Sequence, residues 1–164
     1  MSNFRMKVDH GMSPAIMQAI GDFVVSFAEM EYALKLGIQT LLACSIPHKG
    51  VITAGKNVSQ LIDMLRELYR TSDNQRVPFE TIDGLCKEAE DIRLFRNDLM
   101  HATLTAIGHK TIELEKRSQR KRFKLKVQEL NVKHINDITQ TTKYVAGDLI
   151  GIWMGYHTIT PRVV

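Results

Sequence analysis

The sequence predicts a mainly α-helical domain: four helices around one core, with a small β-hairpin or three-stranded ribbon inserted before the last helix. Three observations carry this. Apolar residues recur every three or four positions through 13–44, 57–70, 78–102 and 131–156, the helical period. Over 103–130 the period changes to alternation, as in half-buried strands. Cap and turn residues fall at the joints: Ser13-Pro14, Asn57, Pro78, Gly108-His109, Ser118-Gln119 and Asn131.

Residues 1–12, with Phe4, Met6 and Val8 weakly alternating, are expected to be a flexible N-terminus. Ser13 is placed to cap the first helix and Pro14 to occupy its first position, where a missing N–H costs nothing. Ile16, Ile20, Phe23, Phe27, Met30, Leu34, Ile38 and Leu41 then form one stripe, and the helix should reach about Cys44 and stop before Pro47. Glu31 lies on the flank of this stripe, whereas Glu29 points almost opposite.

Residues 46–56, with Pro47, Gly50 and Gly55, read as a loop. Asn57 or Ser59 caps a second helix carrying Leu61, Leu65 and Leu68 and ending near Arg70. After a polar turn over Thr71–Arg76, Pro78 opens the third helix, which runs through Leu85, Ala89, Ile92 and Leu99 to His101.

The ribbon over 103–130 is expected to have Phe123, Leu125 and Val127 facing one way. Asn131 can cap the last helix, whose stripe is Ile135, Ile138, Val145, Leu149, Ile152, Trp153 and Tyr156. Gly147, Gly151 and Gly155 fall on its opposite side. In a membrane they would suggest a dimer seam. In a soluble protein they suggest close approach by another segment of the chain. With a loose tail over 158–164, a single domain spans 13–157, and 103–130 is its insertion.

At 164 residues, 44% of them hydrophobic and 24% charged, the chain is long enough for a core without disulfide staples. Cys44 and Cys86 stand far apart, each without a Cys-x-x-Cys partner, so neither a disulfide framework nor a zinc site is suggested. His10, His48, His109, His134 and His157 show no ligand spacing, and no metal or cofactor is expected. No window reaches the roughly 18 apolar residues of a spanning helix, and the start lacks the apolar run of a signal peptide. The chain reads as cytoplasmic, with no membrane partner.

The net charge of +4 is one local feature. Lys116, Arg117, Arg120, Lys121, Arg122, Lys124 and Lys126 lie within eleven positions containing no acidic residue; the rest of the chain holds 15 basic and 18 acidic residues, a net of −3. Such a tip, at Lys116, Arg117, Arg120, Lys121 and Arg122 above all, suits an RNA backbone, because phosphate contacts need charge and little else. The plainer reading is a solvated hairpin turn, and no aromatic residue within 116–122 offers a stacking platform.

The most informative stretch is Leu94–Ala102, LFRNDLMHA. On a helical wheel Arg96 falls within about 40° of the apolar stripe of Leu85, Ala89 and Ile92. Asn97 and His101 sit together on a neighbouring face, one turn apart. A cation on a buried stripe is costly unless something pairs with it. Glu31 is the expected partner, across the first and third helices.

The long first helix, the helix ending in Arg96-Asn97-Asp98-Leu99-Met100-His101 and the closing helix together resemble the HEPN superfamily, over roughly residues 13–157. Its hallmark is Arg followed by a polar residue, three further residues and His. The resemblance implies a metal-independent endoribonuclease whose site is composed at a homodimer interface, in a toxin or phage-defence setting with an antitoxin or other partner protein. It makes Arg96, Asn97 and His101 the catalytic set: His101 as base toward a ribose 2′-OH, Arg96 as the cation, Asn97 as orienting group. The alternative implied by the same family is a non-catalytic RNA-binding or protein-interaction module. A purely structural reading also stands, with Arg96 paired in the core and His101 favoured by the helix C-terminus.

Overall fold

The computed structural model describes residues 11–42, 46–73, 75–107, 109–118 and 124–155. Among them are five helices and one three-stranded antiparallel sheet. Helix α1 is Pro14–Leu41, α2 Ile46–Thr53, α3 Val58–Arg70 and α4 Phe79–His101. Strands β1 (Thr103–Ala106), β2 (Thr111–Ser118) and β3 (Lys124–Asn131) lead into α5, Val132–Met154. Residues 1–10 of the expected flexible N-terminus and the whole expected tail, 158–164, lie outside the described residues together with Cys44, Phe123 and Tyr156.

Helix starts follow the local chemistry. The Ser13 hydroxyl accepts from Ile16 N at 3.4 Å, Asn57 and Gln60 form a reciprocal capping box, and the Asn131 side chain accepts from His134 N at 2.8 Å. The stretch 46–56 is corrected. It is not a loop throughout, since α2 occupies Ile46–Thr53. Pro47 sits in the first turn, where proline costs no hydrogen bond, and Gly55 (φ +69°) follows the helix at a left-handed turn.

Helix α1 packs chiefly against α5, and α3 against both α1 and α4. Phe23, Met30, Leu34 and Ile38 meet Leu61, Leu65 and Tyr69 of α3, Ile82, Cys86 and Leu99 of α4, and Ile135, Val145 and Leu149 of α5 in one core. Phe95 of α4 sets its ring edge-on to Phe23 at 5.1 Å. The α1–α5 seam closes where Trp153 lies over Gly37 of α1. Gly147 and Gly155 of α5 do not make this approach, which corrects the expected close approach at those two positions. Gly147 is exposed with nothing within 4 Å of where a Cβ would stand, and Gly155 (φ +84°) ends the helix as a left-handed cap.

Two polar devices close the Trp153 end. The buried Tyr69 hydroxyl donates to Val77 O at 2.6 Å and accepts from Val77 N at 2.9 Å, pinning the α3–α4 connection. From that connection Arg76 donates to Ile152 O and Trp153 O at 3.1 and 2.6 Å, capping the carbonyl end of α5.

In the sheet, Leu104 pairs with Leu114, and Ile112 pairs with both Ala106 and Leu130. Ile112, Leu114 and Leu130 enter the core. Positions 125 and 127 register with Arg117 and Glu115, out of phase with Leu130. Thr103, two residues beyond His101, pairs with Glu115. The β2–β3 ladder therefore runs on past the end of α4 through Lys116↔Lys126 to Ser118↔Lys124. Arg120, Lys121 and Arg122 lie outside the described residues.

Asp83 of α4 bridges two elements. It takes Arg66 Nε of α3 at 2.9 Å and Lys87 Nζ at 2.7 Å. The Lys87 hydrogen bond, outweighing desolvation and aided by both cations, holds its carboxyl below the usual value of 3.8. A carboxyl with a lowered folded pKa stabilises fully above 3.8 and loses that contribution as pH falls through the lower folded value. Asp83→Asn should therefore lower the melting temperature near neutrality and leave it little changed in strong acid, as acid melts would record.

Candidate active site

Arg96 is half-buried on the inner side of α4, as the helical period requires. The expected Arg96–Glu31 pair is not formed. Glu31 instead accepts from Lys35 Nζ at 2.6 Å, one turn along its own helix. A lysine at i+4 is within reach of any rotamer that leaves the core, whereas Arg96 would need both partners to cross the α1–α4 groove. Arg96 rests its guanidinium 5.6 Å from the Phe27 ring centroid and donates through Nη1 to Asn97 Oδ1 at 3.3 Å. Among the described residues no carboxylate comes within ion-pair distance of it.

The correction changes the energetics. Both Glu31 and Lys35 are about one-third exposed, so Glu31→Ala should cost only about 0.3–0.5 kcal/mol, the worth of an i, i+4 pair, rather than the ~3–5 kcal/mol of a broken buried one. Urea denaturation of that variant separates the two.

Arg96 and Asn97 line a cleft of about 340 Å³ with Phe27, Glu31, Asn57, Val58, Ser59 and Arg93. Its walls are the middle of α1, the first turn of α3 and the stretch of α4 from Arg93 to Asn97. Arg93 is held by Glu90 through two hydrogen bonds, Nε to Oε2 at 2.8 Å and Nη2 to Oε1 at 2.6 Å. Those bonds keep the Glu90 carboxyl below its ordinary range and raise the Arg93 guanidinium. Arg93 carries a charge already matched; Arg96 carries one that is not.

His101 ends α4, exposed, in its last turn. It follows Asn97 by one turn, about 6 Å along the axis, and is not among the residues lining the cleft. The structure thus brings Arg96 and Asn97 together and leaves His101 one turn beyond them, outside the cleft. Lys116 and Arg117 occupy β2 positions just past Glu115, the partner of Thr103.

Sequence reasoning missed Asn57, Ser59 and Arg93 as neighbours of the motif. Arg93 had a signal, standing one turn before Asn97; Asn57 and Ser59 had none, because only tertiary packing sets the start of α3 against α4. The other chemistry available is poor. Burial pushes the Cys86 thiol up to about 12, so it supplies no thiolate nucleophile. Among the described residues no three His, Cys, Asp or Glu side chains group as a metal site, and no helix is long and apolar enough to cross a membrane. Comparison with known families, with curated proteins and with solved structures finds no match to this chain.

Proposed function

We propose that the chain is a metal-independent endoribonuclease of the HEPN type, with Arg96, Asn97 and His101 as its catalytic set. The observation that carries this is Arg96: a half-buried guanidinium lining a cleft, with no carboxylate among the described residues within ion-pair distance of it. Such a charge calls for an anion. In the proposed reaction, neutral His101 removes the proton from a ribose 2′-OH, and the oxygen attacks the adjacent phosphorus. Arg96 stabilises the charge on the phosphorane while Asn97 orients it. The bond to the 5′-oxygen then breaks, leaving a 2′,3′-cyclic phosphate and a 5′-hydroxyl.

Because His101 is exposed at the end of α4, one copy alone leaves the base open to water. A second copy facing it would complete and enclose the site, and the reading therefore includes a homodimer. The ribbon carrying Lys116 and Arg117 supplies the field that draws in the backbone. A toxin or phage-defence effector working in the cytoplasm, held in check by a partner protein, fits this chemistry. The position of His101 outside the cleft favours a second reading, a module that binds RNA without cutting it.

The test is incubation of mixed RNA with the purified protein in excess EDTA, followed by end-group analysis. Cleavage with cyclic or 3′-phosphate ends, with DNA of the same sequence spared, supports the nuclease. RNA that binds in a salt-dependent way and stays intact supports the module.

A further inference from the structure

We infer that the cleft between α1, α3 and α4 is a phosphate-binding site built from two helices, in which Ser59 and Arg93 join Arg96 and Asn97 as ligands. The nuclease reading supplies the identity of its natural ligand, a nucleotide phosphate of RNA, but the anion site itself stands on the charges and donors in the cleft.

Charges in the walls cancel in pairs and leave one cation over. Glu31, the carboxylate in the wall, is matched by Lys35, and Arg93 by Glu90, whose oxygens take Nε and Nη2 and leave Nη1 as the Arg93 donor for a ligand. Among the described residues Arg96 has only the Phe27 ring and a neutral amide. The Phe27 ring takes up none of the guanidinium N–H groups, so those not bonded to Asn97 are left to meet a ligand. Since Asn97 Oδ1 accepts from Arg96, the Asn97 NH₂ remains a donor.

Donors also come from the facing wall. The Asn57 side chain bonds Gln60 N, the third helical position, leaving the Val58 and Ser59 N–H groups with no partner inside α3. The Ser59 hydroxyl stands beside them. Helix geometry adds a positive end to the uncompensated cation that already marks the cleft. At about 340 Å³ the space equals on the order of ten waters, enough for a phosphate with its ribose. Phe27 and Val58 provide apolar wall for the sugar.

Titration of the ¹⁵N-labelled protein with inorganic phosphate, then 5′-AMP, followed by amide chemical shifts, tests this. Saturable shifts at Val58, Ser59 and Asn97 are expected, with 5′-AMP binding more tightly than phosphate. Arg96→Gln should weaken both about 10- to 100-fold, the loss of a charge-assisted hydrogen bond. Ser59→Ala and Arg93→Gln should weaken them less, and exposed Lys143→Gln on α5 should not. Ser59→Ala keeps the test alive if Arg96→Gln does not fold. An unshifted spectrum at tens of millimolar phosphate, or affinities unmoved by Ser59→Ala and Arg93→Gln, overturns the inference. Phosphate bound at these residues by a protein that cuts no RNA sinks the nuclease and leaves the site; RNA cut by a protein that binds no phosphate here does the reverse.

Discussion

Alanine at position 37 is expected to destabilise the protein by about 1–3 kcal/mol, although alanine is the better helix former by about 1 kcal/mol. A Cβ there would stand 2.5 Å from Trp153 Cε2 and 2.6 Å from its Nε1, closer than real atoms pack. The indole has no easy retreat. It is only 4% exposed, and Tyr69 holds its other side at 6.0 Å between ring centroids. Tyr69 is itself tethered to Val77. Trp153→Ala should cost about 3–5 kcal/mol through the cavity it leaves. In that background Gly37→Ala should change sign and become stabilising, because the clash is gone and helix propensity remains. Urea denaturation of the two single variants and the double variant measures the coupling, which should exceed about 0.5 kcal/mol. Additive costs would mean that the two residues do not touch.

On the proposed nuclease mechanism, cleavage of RNA is expected to fall about 10²–10⁴-fold in His101→Ala and about 10²–10³-fold in Arg96→Ala. The two differ in what else they disturb. His101 is exposed and ends its helix, so its variant should melt close to the parent. Arg96 stacks on Phe27 and lines the cleft, so its variant should also lose some stability. Arg96→Lys makes the sharper comparison: it keeps the charge but loses the planar fork and the stacking surface, and should recover little activity. Single-turnover rates at saturating protein, set beside melting curves, separate chemistry from folding. Activity equal to the parent in His101→Ala would remove the base from the mechanism.

What the sequence made legible was local. The start of α1 at Ser13-Pro14, the Asn57 cap and the Asn131 cap are each decided by a side chain bonding an amide three residues on. The sheet's three strands follow from alternation, which one residue of slippage would invert. What stayed hidden was relational. A helical wheel puts Glu31 and Arg96 on inward flanks, but it cannot weigh a lysine four residues away against an arginine on another helix. The glycines of α5 advertised a close approach through their spacing, while the one that matters, Gly37, lies in α1 with no glycine at helical spacing to mark it. Helix α2 was obscured because Pro47 and Gly50 look like breakers unless the first is recognised as part of an opening turn.

The pairing of α1 with α5 bears on how the chain is made. These two helices form the main seam of the core and lie with their C-terminal ends together, Trp153 over Gly37, yet nearly everything else is threaded between them. Synthesis delivers α1 first and α5 after the sheet. At roughly 5–20 residues per second, α1 waits several seconds before the helix it chiefly packs against is made. Contacts so distant in sequence also slow the final closure. A nascent chain still on the ribosome is thus held open along one groove, and a chaperone that shields apolar helices would find its client in that interval.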